Sequence, residues 1–577
     1  MQTLDYTTLV AVCAQLREDW IPARTEQVYQ RDRHTISLAL RTLKGRGWLT
    51  ICWHPQAARI CLGDAPPKVK DTFTFSDQLR HQLGGFALTE ITTIAPWERV
   101  IDLQFAKRPG EEAIWHLYVE IMGKYSNVIL TDQRNVIVTT AHQVSGKQSS
   151  VRTVQTGDIY EPPPALVGSK PDMSETQAVW QERVNLIPGA IARQLVKSYR
   201  GVSPTLARSL VKAANLDPEQ SNQGLTAGEW DYLWQFWQKW LFMLEEKHFQ
   251  PGWTESGYTV LGWDAIKPAE DLQELLNSYY TNQLNQQQFK QLCHQLTQKA
   301  SSLLRKLYQK ANTFEQRLQQ SDQAEEYRQH ADLLMAYLQD WQPGMKSITL
   351  TEFETGDPVK IRLNPEKNAV QNAQSLYKQH QKLKRARTAV EPLLAEVNTE
   401  INYLEQVEIA LQQIGNYHNP EDLQTLEEIR EELIEQKYLI SENRPRSSNK
   451  ESQPHSYRTP SGFELLIGRN NRQNDQLSFR TAVDYDLWFH TQEISGSHAL
   501  LRLDPGTVAS EEDLQFTADL VAYYSKARQS EQVPVVYTKP KYVYRPKGAA
   551  PGMVVYKHEE ILWGRPQKAT LYLKNEK

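Results

Sequence analysis

The chain of 577 residues carries 65 Lys and Arg against 69 Asp and Glu, a formal net charge of -4 with 23% charged residues. This is an ordinary soluble composition; the length predicts three to five domains, and the near-neutral balance excludes a protein that is basic throughout, so any nucleic-acid surface has to be local. Four dispersed cysteines (Cys13, Cys52, Cys61 and Cys293) without a CxxC pair exclude a disulfide scaffold or zinc ribbon and fit a reducing compartment, no run of 18 apolar residues exists to span a membrane, and Met1–Asp5 does not read as a secretory signal.

Residues 1 to about 165 read as α/β. A helical pattern begins at Leu9–Leu16, and Ala23–Tyr29, Thr35–Leu40 and Trp48–Cys52 alternate as strands. Ser76–Leu83 reads as a short helix stopped by Gly84-Gly85. Further strands are predicted at Arg99–Phe105, Trp115–Glu120 and Asn127–Leu130, and Pro162–Pro164 marks a boundary. Residues 175 to 285 read as helical and rich in Trp and Gln.

From Phe289 to Tyr438 the pattern is that of a long arm. Phe289, Leu292, Leu296, Ala300, Leu303, Leu307, Ala311, Phe314 and Leu318 repeat at eleven residues, which predicts a nearly straight helix. Val390, Val397, Leu404 and Leu411, with Leu383, Leu394 and Ile401, make a heptad seam. Between them, Ser347–Phe353 and Val359–Leu363 read as two short strands around a turn. Such a segment goes out and comes back, and ~50 helical residues reach ~75 Å. That reach suits a grip on a very large object. Ser441–Pro460, rich in Ser, Asn, Arg and Pro, reads as a mobile linker. Residues 461 to 575 return to α/β, with strands near Phe463–Ile467, Leu487–His490, Val535–Tyr537 and Met553–Tyr556 and a helix over Ser510–Arg528.

Catalytic constellations are not found. Gly146-Lys147 is followed by Gln148 where a phosphate loop needs Ser or Thr, His558-Glu559 lacks the second His of a zincin, and there is no G-x-S-x-G elbow. His490 and His498 lie near carboxylates, but satisfied histidines at a strand end are preferred over a metal site. Three stretches suit nucleic acid. Gly201–Ala207 fits the turn of a helix-hairpin-helix unit, with Gly201 and Ser203 presenting a helix N-terminus to phosphate. Lys539, Lys541, Arg545 and Lys547 interleave with Tyr542 and Tyr544, which suits phosphate contact plus base stacking; the competing reading is a solvated edge strand. Glu98-Arg99 offers a guanidinium fork beside a carboxylate, which by itself reads as a surface ion pair.

Several longer blocks carry a family resemblance. Gln56–Ile60, Phe75–Gly85, Glu120–Leu130, Arg152–Pro163, Gly201–Ala207, Asn368–Ala373, Asp486–His490, Gly496–His498, Lys539–Gly552 and Tyr556 resemble, in order, the motifs of the NFACT family, whose bacterial members are RqcH-like and were formerly called fibronectin-binding protein A-like. The resemblance implies a multidomain α+β architecture. Residues 1–170 would form an NFACT-N domain of Fpg-like α/β fold, 171–285 a helical domain with the helix-hairpin-helix, and 286–440 an antiparallel coiled-coil arm with a small β tip at about 342–365. A linker at 441–460 would lead to an NFACT-R RNA-binding domain at 461–577.

It further implies a cytoplasmic ribosome quality control factor. Such proteins bind the large ribosomal subunit obstructed by peptidyl-tRNA and recruit alanyl-tRNA for template-free alanine tailing, the ribosome itself forming the bond. The resemblance leaves room for a small ribosome-associated protein partner and calls for no cofactor, metal or catalytic residue. By motif match, Glu98, Arg99, Glu120, Ile121, Met122 and Arg59 are the expected tRNA contacts, the family's Asp being Glu98 here. His490, Ser497, His498, Lys539, Lys541, Tyr542, Arg545 and Lys547 are the expected RNA contacts of the last domain. The rival readings are a surface fibronectin-binding adhesin and a coiled-coil scaffold without RNA.

Overall fold

A computed structural model describes residues 1–67, 71–165, 167–353, 355–440 and 451–575. It divides into two units at residues 285 and 286.

In the first unit, helix α1 (Tyr6–Trp20) is capped by Asp5, whose side chain accepts from Thr8 N at 2.9 Å. Four strands follow, β1 (Ala23–Asp32), β2 (Thr35–Arg41), β3 (Arg46–Cys52) and β4 (Arg59–Gly63), then helix α2 (Thr74–Leu83). The sheet resumes with β5 (Ala87–Thr93), β6 (Val100–Ala106), β7 (Trp115–Glu120), β8 (Asn127–Asp132) and β9 (Ile137–Thr140). All nine form one sheet in the order β4-β3-β2-β1-β5-β6-β7-β8-β9, and every pairing is antiparallel. The α/β expectation is therefore corrected to α+β. Most consecutive strands are joined by short hairpin connections, too short for the crossover that a parallel pair requires. Val28, Leu38, Leu49, Ile51, Leu88, Leu103 and Leu117 share one core with Leu9, Val12 and Leu16 of α1.

Four more helices complete this unit: α3 (Gln177–Asn185), α4 (Ile191–Ser198), α5 (Pro204–Ala213) and α6 (Ala227–Glu246). Tryptophan supplies their packing. Trp180 and Trp237 lie 5.7 Å apart, Trp237 and Trp240 4.9 Å, and Tyr199 sits 4.7 Å from Trp237. Trp240 Nε1 donates to Thr7 Oγ1 at 3.0 Å, which fixes α6 to the start of α1. The region read as wholly helical also holds a small antiparallel sheet of β10 (Gly252–Trp253), β11 (Tyr258–Thr259) and β12 (Lys267–Pro268). These two-residue strands are too short to show a periodicity.

Helix α7 (Leu272–Ser321) begins in the first unit and ends in the second. It is followed by α8 (Ala324–Ala336), the hairpin β13 (Ser347–Thr351) and β14 (Pro358–Arg362), α9 (Ala369–Ile414) and α10 (Pro420–Glu435). The arm seam is observed in part, with Leu318, Leu383 and Val390 outside its core. Phe289, Leu292, Leu296, Ala300, Leu304 and Ala311 of α7 pack in one core with Val397, Ile401, Leu404, Val407 and Leu411 of α9, joined by Leu426, Ile429 and Leu433 of α10. Leu303, Leu307 and Phe314 flank this line, partly buried. The hairpin packs Ile348, Leu350 and Ile361 on Leu333 and Leu334 of α8 and Ala373 of α9. Buried Asn372 closes the return loop: its Nδ2 donates to the carbonyls of Asn364, Lys367 and Asn368, and its Oδ1 accepts from Asn364 N at 2.8 Å.

The last part of the second unit comprises β15 (His455–Arg458), β16 (Glu464–Ile467), α11 (Asn471–Gln476), β17 (Leu487–Thr491), β18 (Ala499–Leu501), α12 (Glu511–Tyr523), β19 (Val533–Thr538), β20 (Val543–Tyr544), β21 (Val555–Tyr556), β22 (Glu560–Gly564) and α13 (Pro566–Asn575). Its six-stranded sheet has the order β15-β16-β18-β17-β19-β22. The linker expected over 441–460 is shorter than its composition suggested, since β15 lies within it and pairs His455–Arg458 with Glu464–Ile467. Tyr457 is the inward residue of that polar strand. Residues 441–450 of the expected linker lie outside the described residues.

This sheet domain is seated on the arm. Ser495 and Lys526 both donate to Glu405 of α9, Asn470 to Glu428, and Asn471 Nδ2 to Glu432 Oε1 at 3.1 Å, where Tyr403 Oη also donates at 2.8 Å. Burial pushes the Glu432 carboxyl up to about 7, against the donors Tyr403 and Asn471 and the charge of Arg472. A raised carboxyl costs stability as pH climbs from its ordinary value to about 7, and the cost is constant above that. Glu432→Gln keeps the acceptor that both donors use. It is expected to gain ~3 kcal/mol over the native protein at pH 8 and almost nothing at pH 4.5, as read by urea denaturation at the two pH values. An equal effect at both would refute the ionisation argument.

Candidate nucleic-acid interfaces

In the first unit the backbone brings together three of the sequence blocks and one that sequence reasoning missed. β6 pairs with β7 so that Val100 faces Glu120, and Ile121 N donates to Arg99 O at 2.9 Å. Glu98-Arg99 and Glu120–Met122 are therefore neighbours. The Tyr199–Ser203 connection between α4 and α5 arrives beside them, with Arg200 Nη1 3.9 Å from Glu98 Oε1. Leu4-Asp5 completes the group: Arg99 Nη1 donates to Leu4 O at 3.4 Å and Ser203 Oγ to Asp5 Oδ2 at 2.6 Å.

Two residues with left-handed backbone shape this place. Trp97 adopts φ +70° and Gly201 φ +78°. Left-handed backbone is free for glycine but costs a bulky residue about 1–3 kcal/mol. The Trp97 ring sits 4.9 Å from Tyr6 and 5.6 Å from Trp240. A Cβ on Gly201 would lie 2.7 Å from Trp97 Cε3, so only glycine fits under the ring. Burial pulls the Arg99 guanidinium below its ordinary value, and Asp5 and Glu98 oppose the shift; a guanidinium remains a cation at neutral pH.

The expected residues divide by exposure. Glu98, Arg99 and Met122 are partly exposed. Glu120 and Ile121 are buried, which corrects their reading as direct contacts. Glu120 accepts from Arg152 Nη2 and from Tyr160 Oη at 3.0 Å, and burial raises its carboxyl against the pull of Arg152. Its carboxylate thus ties the end of β7 to Arg152 and Tyr160. Ser203 is also corrected. Its hydroxyl caps α5 through Leu206 N at 3.0 Å while donating to Asp5, so the hydroxyl is already engaged within the protein. Arg59 does not join the group: it is 4% exposed, opens β4, and its guanidinium lies 5.3 Å over the Tyr280 ring. Asp5 and Arg200 were not found from sequence, because only long-range contacts bring them here; Trp97 precedes Glu98 but was not singled out, and Arg152 and Tyr160 were seen only as part of a family motif.

In the second unit, His490, Ser497 and His498 are buried, which corrects them as RNA contacts. β17 lies between β18 and β19, so His490 projects into packed structure. The two imidazoles meet edge to face at 5.1 Å, and His498 Nδ1 shares Ser478 Oγ, at 2.8 Å, with Trp488 Nε1 at 2.9 Å. Burial lowers both, His490 to about 4, so both are neutral at physiological pH. Ser497 Oγ faces Gln413 of α9 at 3.3 Å. Among the described residues no group of three or more His, Cys, Asp or Glu is placed to hold a metal.

The basic stretch after β19 is different. Lys539, Lys541, Arg545 and Lys547 are exposed. Tyr542 is half-buried against His558 at 4.6 Å, with Lys541 Nζ 5.1 Å over its ring. Arg545 pairs with Asp475 and lies 5.3 Å over Phe479. Tyr544 is 48% exposed, which makes it the freer stacking surface of the two tyrosines.

Two family models together match residues 5–558 of this protein. One for the NFACT N-terminal and middle domains matches residues 5–452, and one for the NFACT protein RNA binding domain matches residues 453–558. The sequence is 30% identical over 581 residues to "Rqc2 homolog RqcH" of Bacillus subtilis, covering 96% of this chain and 97% of that one. It is 30% identical over 565 residues to the protein of the same name in Streptococcus suis, covering 95% of each. Among solved structures, the C-terminal part of a fibronectin/fibrinogen-binding protein from Streptococcus suis is 32% identical with TM-score 0.38, over 49% of this chain and 98% of that one. The N-terminal part of the same protein is 23% identical with TM-score 0.39, over 48% and 100%.

Proposed function

The chain belongs to the NFACT family, and from that premise we propose that it is a ribosome-associated quality control factor like the RqcH proteins it resembles. It binds a large ribosomal subunit obstructed by peptidyl-tRNA, in the cytoplasm. It recruits alanyl-tRNA through the Arg99 region and so drives template-free addition of alanine to the stalled peptide. The ribosome makes the peptide bond, and this protein positions RNA. The observation that carries the reading is the convergence of Glu98-Arg99, Met122 and Arg200 on one partly exposed place, backed by buried Glu120. It shares a polypeptide with a domain whose family model is RNA-binding. The arm, with α7 of 50 residues, supplies the reach toward the subunit.

The test is gradient sedimentation of the tagged protein from cells, with sequencing of the RNA that travels with it and of the C-termini of the accompanying nascent peptides. Large-subunit RNA, tRNA-Ala and untemplated alanine are expected, with association that weakens steeply between 50 and 200 mM salt. Salt-independent assembly free of ribosomal RNA would overturn the reading in favour of a coiled-coil scaffold.

A further inference from the structure

The turn before β6 and the turn before α5 are far apart in sequence, yet they meet residue against residue. Trp97 packs on Gly201, and Glu98 faces Arg200 at 3.9 Å. Both contacts depend on left-handed backbone, at φ +70° for Trp97 and φ +78° for Gly201. A tryptophan is an unusual residue for that conformation, and its ring is packed against protein on several sides. What holds the ring is shape: Tyr6 on one side at 4.9 Å, Trp240 on another at 5.6 Å, and a site at 201 where a Cβ would come within 2.7 Å. Trp240 is itself fixed to α1 through Thr7.

We propose that Trp97 and Gly201 form a steric interlock that makes the Glu98-Arg99 turn and the Gly201–Ser203 turn a single rigid element for holding one RNA, with Trp97 as its positioning residue. This rests on the reading of Arg99 as a tRNA contact. Ser203 cannot serve as an independent phosphate cradle, because its hydroxyl is engaged by Asp5. The connection instead braces Arg99 from behind. Arg200 adds a second cation whose place is set by Glu98 and by its own Nε donating to Gly168 O at 3.1 Å. If the ring is lost, Arg99 and Arg200 remain present but lose their fixed spacing.

The experiment compares full-length Trp97→Ala, Trp97→Phe, Gly201→Ala and the Trp97→Ala/Gly201→Ala double variant. Each is assayed for affinity toward deacylated total tRNA, for sedimentation with large subunits and for melting temperature. Trp97→Ala and Gly201→Ala are each expected to bind tRNA about tenfold more weakly, Trp97→Phe to stay within about threefold of native, and the double to lose about as much as one single change, because residues in contact do not add. Native-like binding by Trp97→Ala overturns the interlock. So does an equal loss in Trp97→Phe, or a loss in the double that is the product of the singles. If the unsubstituted protein binds subunits but no tRNA, the functional reading falls and takes the recognition role with it. The melting temperatures then report only whether Gly201→Ala is tolerated better once the ring is gone.

Discussion

Replacing Glu98 and Arg99 together with alanine is expected to abolish untemplated alanine at the C-termini of nascent peptides while leaving large-subunit sedimentation within about twofold of native. The guanidinium is the group at stake. It is held from one side by Leu4 O, and the strand pairing through Ile121 N fixes the backbone that carries it. A fixed fork of this kind suits bidentate recognition of phosphate or a base edge, and losing a bidentate base contact costs about 1–3 kcal/mol in discrimination alone. Glu98 lies 3.9 Å from Arg200, with the two side chains only 16% and 19% exposed. The melting temperature of the double variant is the control that separates lost RNA contact from lost folding. Arg99→Lys retains charge without the fork; it should tail poorly if geometry matters and well if charge alone suffices. Normal tailing by the double variant would remove Arg99 from the mechanism.

The parts of this structure that were legible in sequence are those with a regular local period. Thr35–Leu40 and Trp48–Cys52 alternate, and they became β2 and β3. The seam through Val397, Leu404 and Leu411 is buried as its heptad requires. β4 and β5 were missed because Arg59–Gly63 and Ala87–Thr93 mix polar and apolar residues without alternation. The basic stretch after β19 was legible because charge and aromatic residues are exposed where sheet packing does not need them. Glu98-Arg99 stood out only through family likeness; by itself it was a surface pair. Asp5 and Arg200 carry no local sign, since each acquires its role from a partner brought by the approach of α5; Arg152 and Tyr160 stood inside a family motif, which did not reveal their pairing with Glu120. His490 and His498 misled because motif likeness does not report burial. The register that sets His490 opposite Val536 in an interior strand does.

Replacing Lys539, Lys541 and Lys547 together with alanine is expected to weaken RNA binding by about 10- to 100-fold at 100–150 mM salt and to reduce the slope of log affinity against log salt by about two units. The reasoning is counterion release: each phosphate neutralised by a cation frees about 0.7–0.9 of a counterion, so three contacts account for about two to three units of slope. All three side chains are exposed, and no ion pair to a carboxylate is seen for any of them among the described residues. Arg545 is a poor fourth member, because its pairing with Asp475 ties it to the end of α11. Its removal would mix lost RNA contact with a loosened loop. Tyr544→Ala should lower affinity without changing the salt slope, since stacking contributes about 1–3 kcal/mol and releases no counterions. His498→Ala separates a buried role from a surface one. It removes the partner of Ser478 and Asn474 from the core, so it should lower the unfolding midpoint and leave the salt slope of the folded fraction unchanged. A slope that is the same in the triple lysine variant and the native protein would show that this stretch is the solvated edge its composition equally allowed.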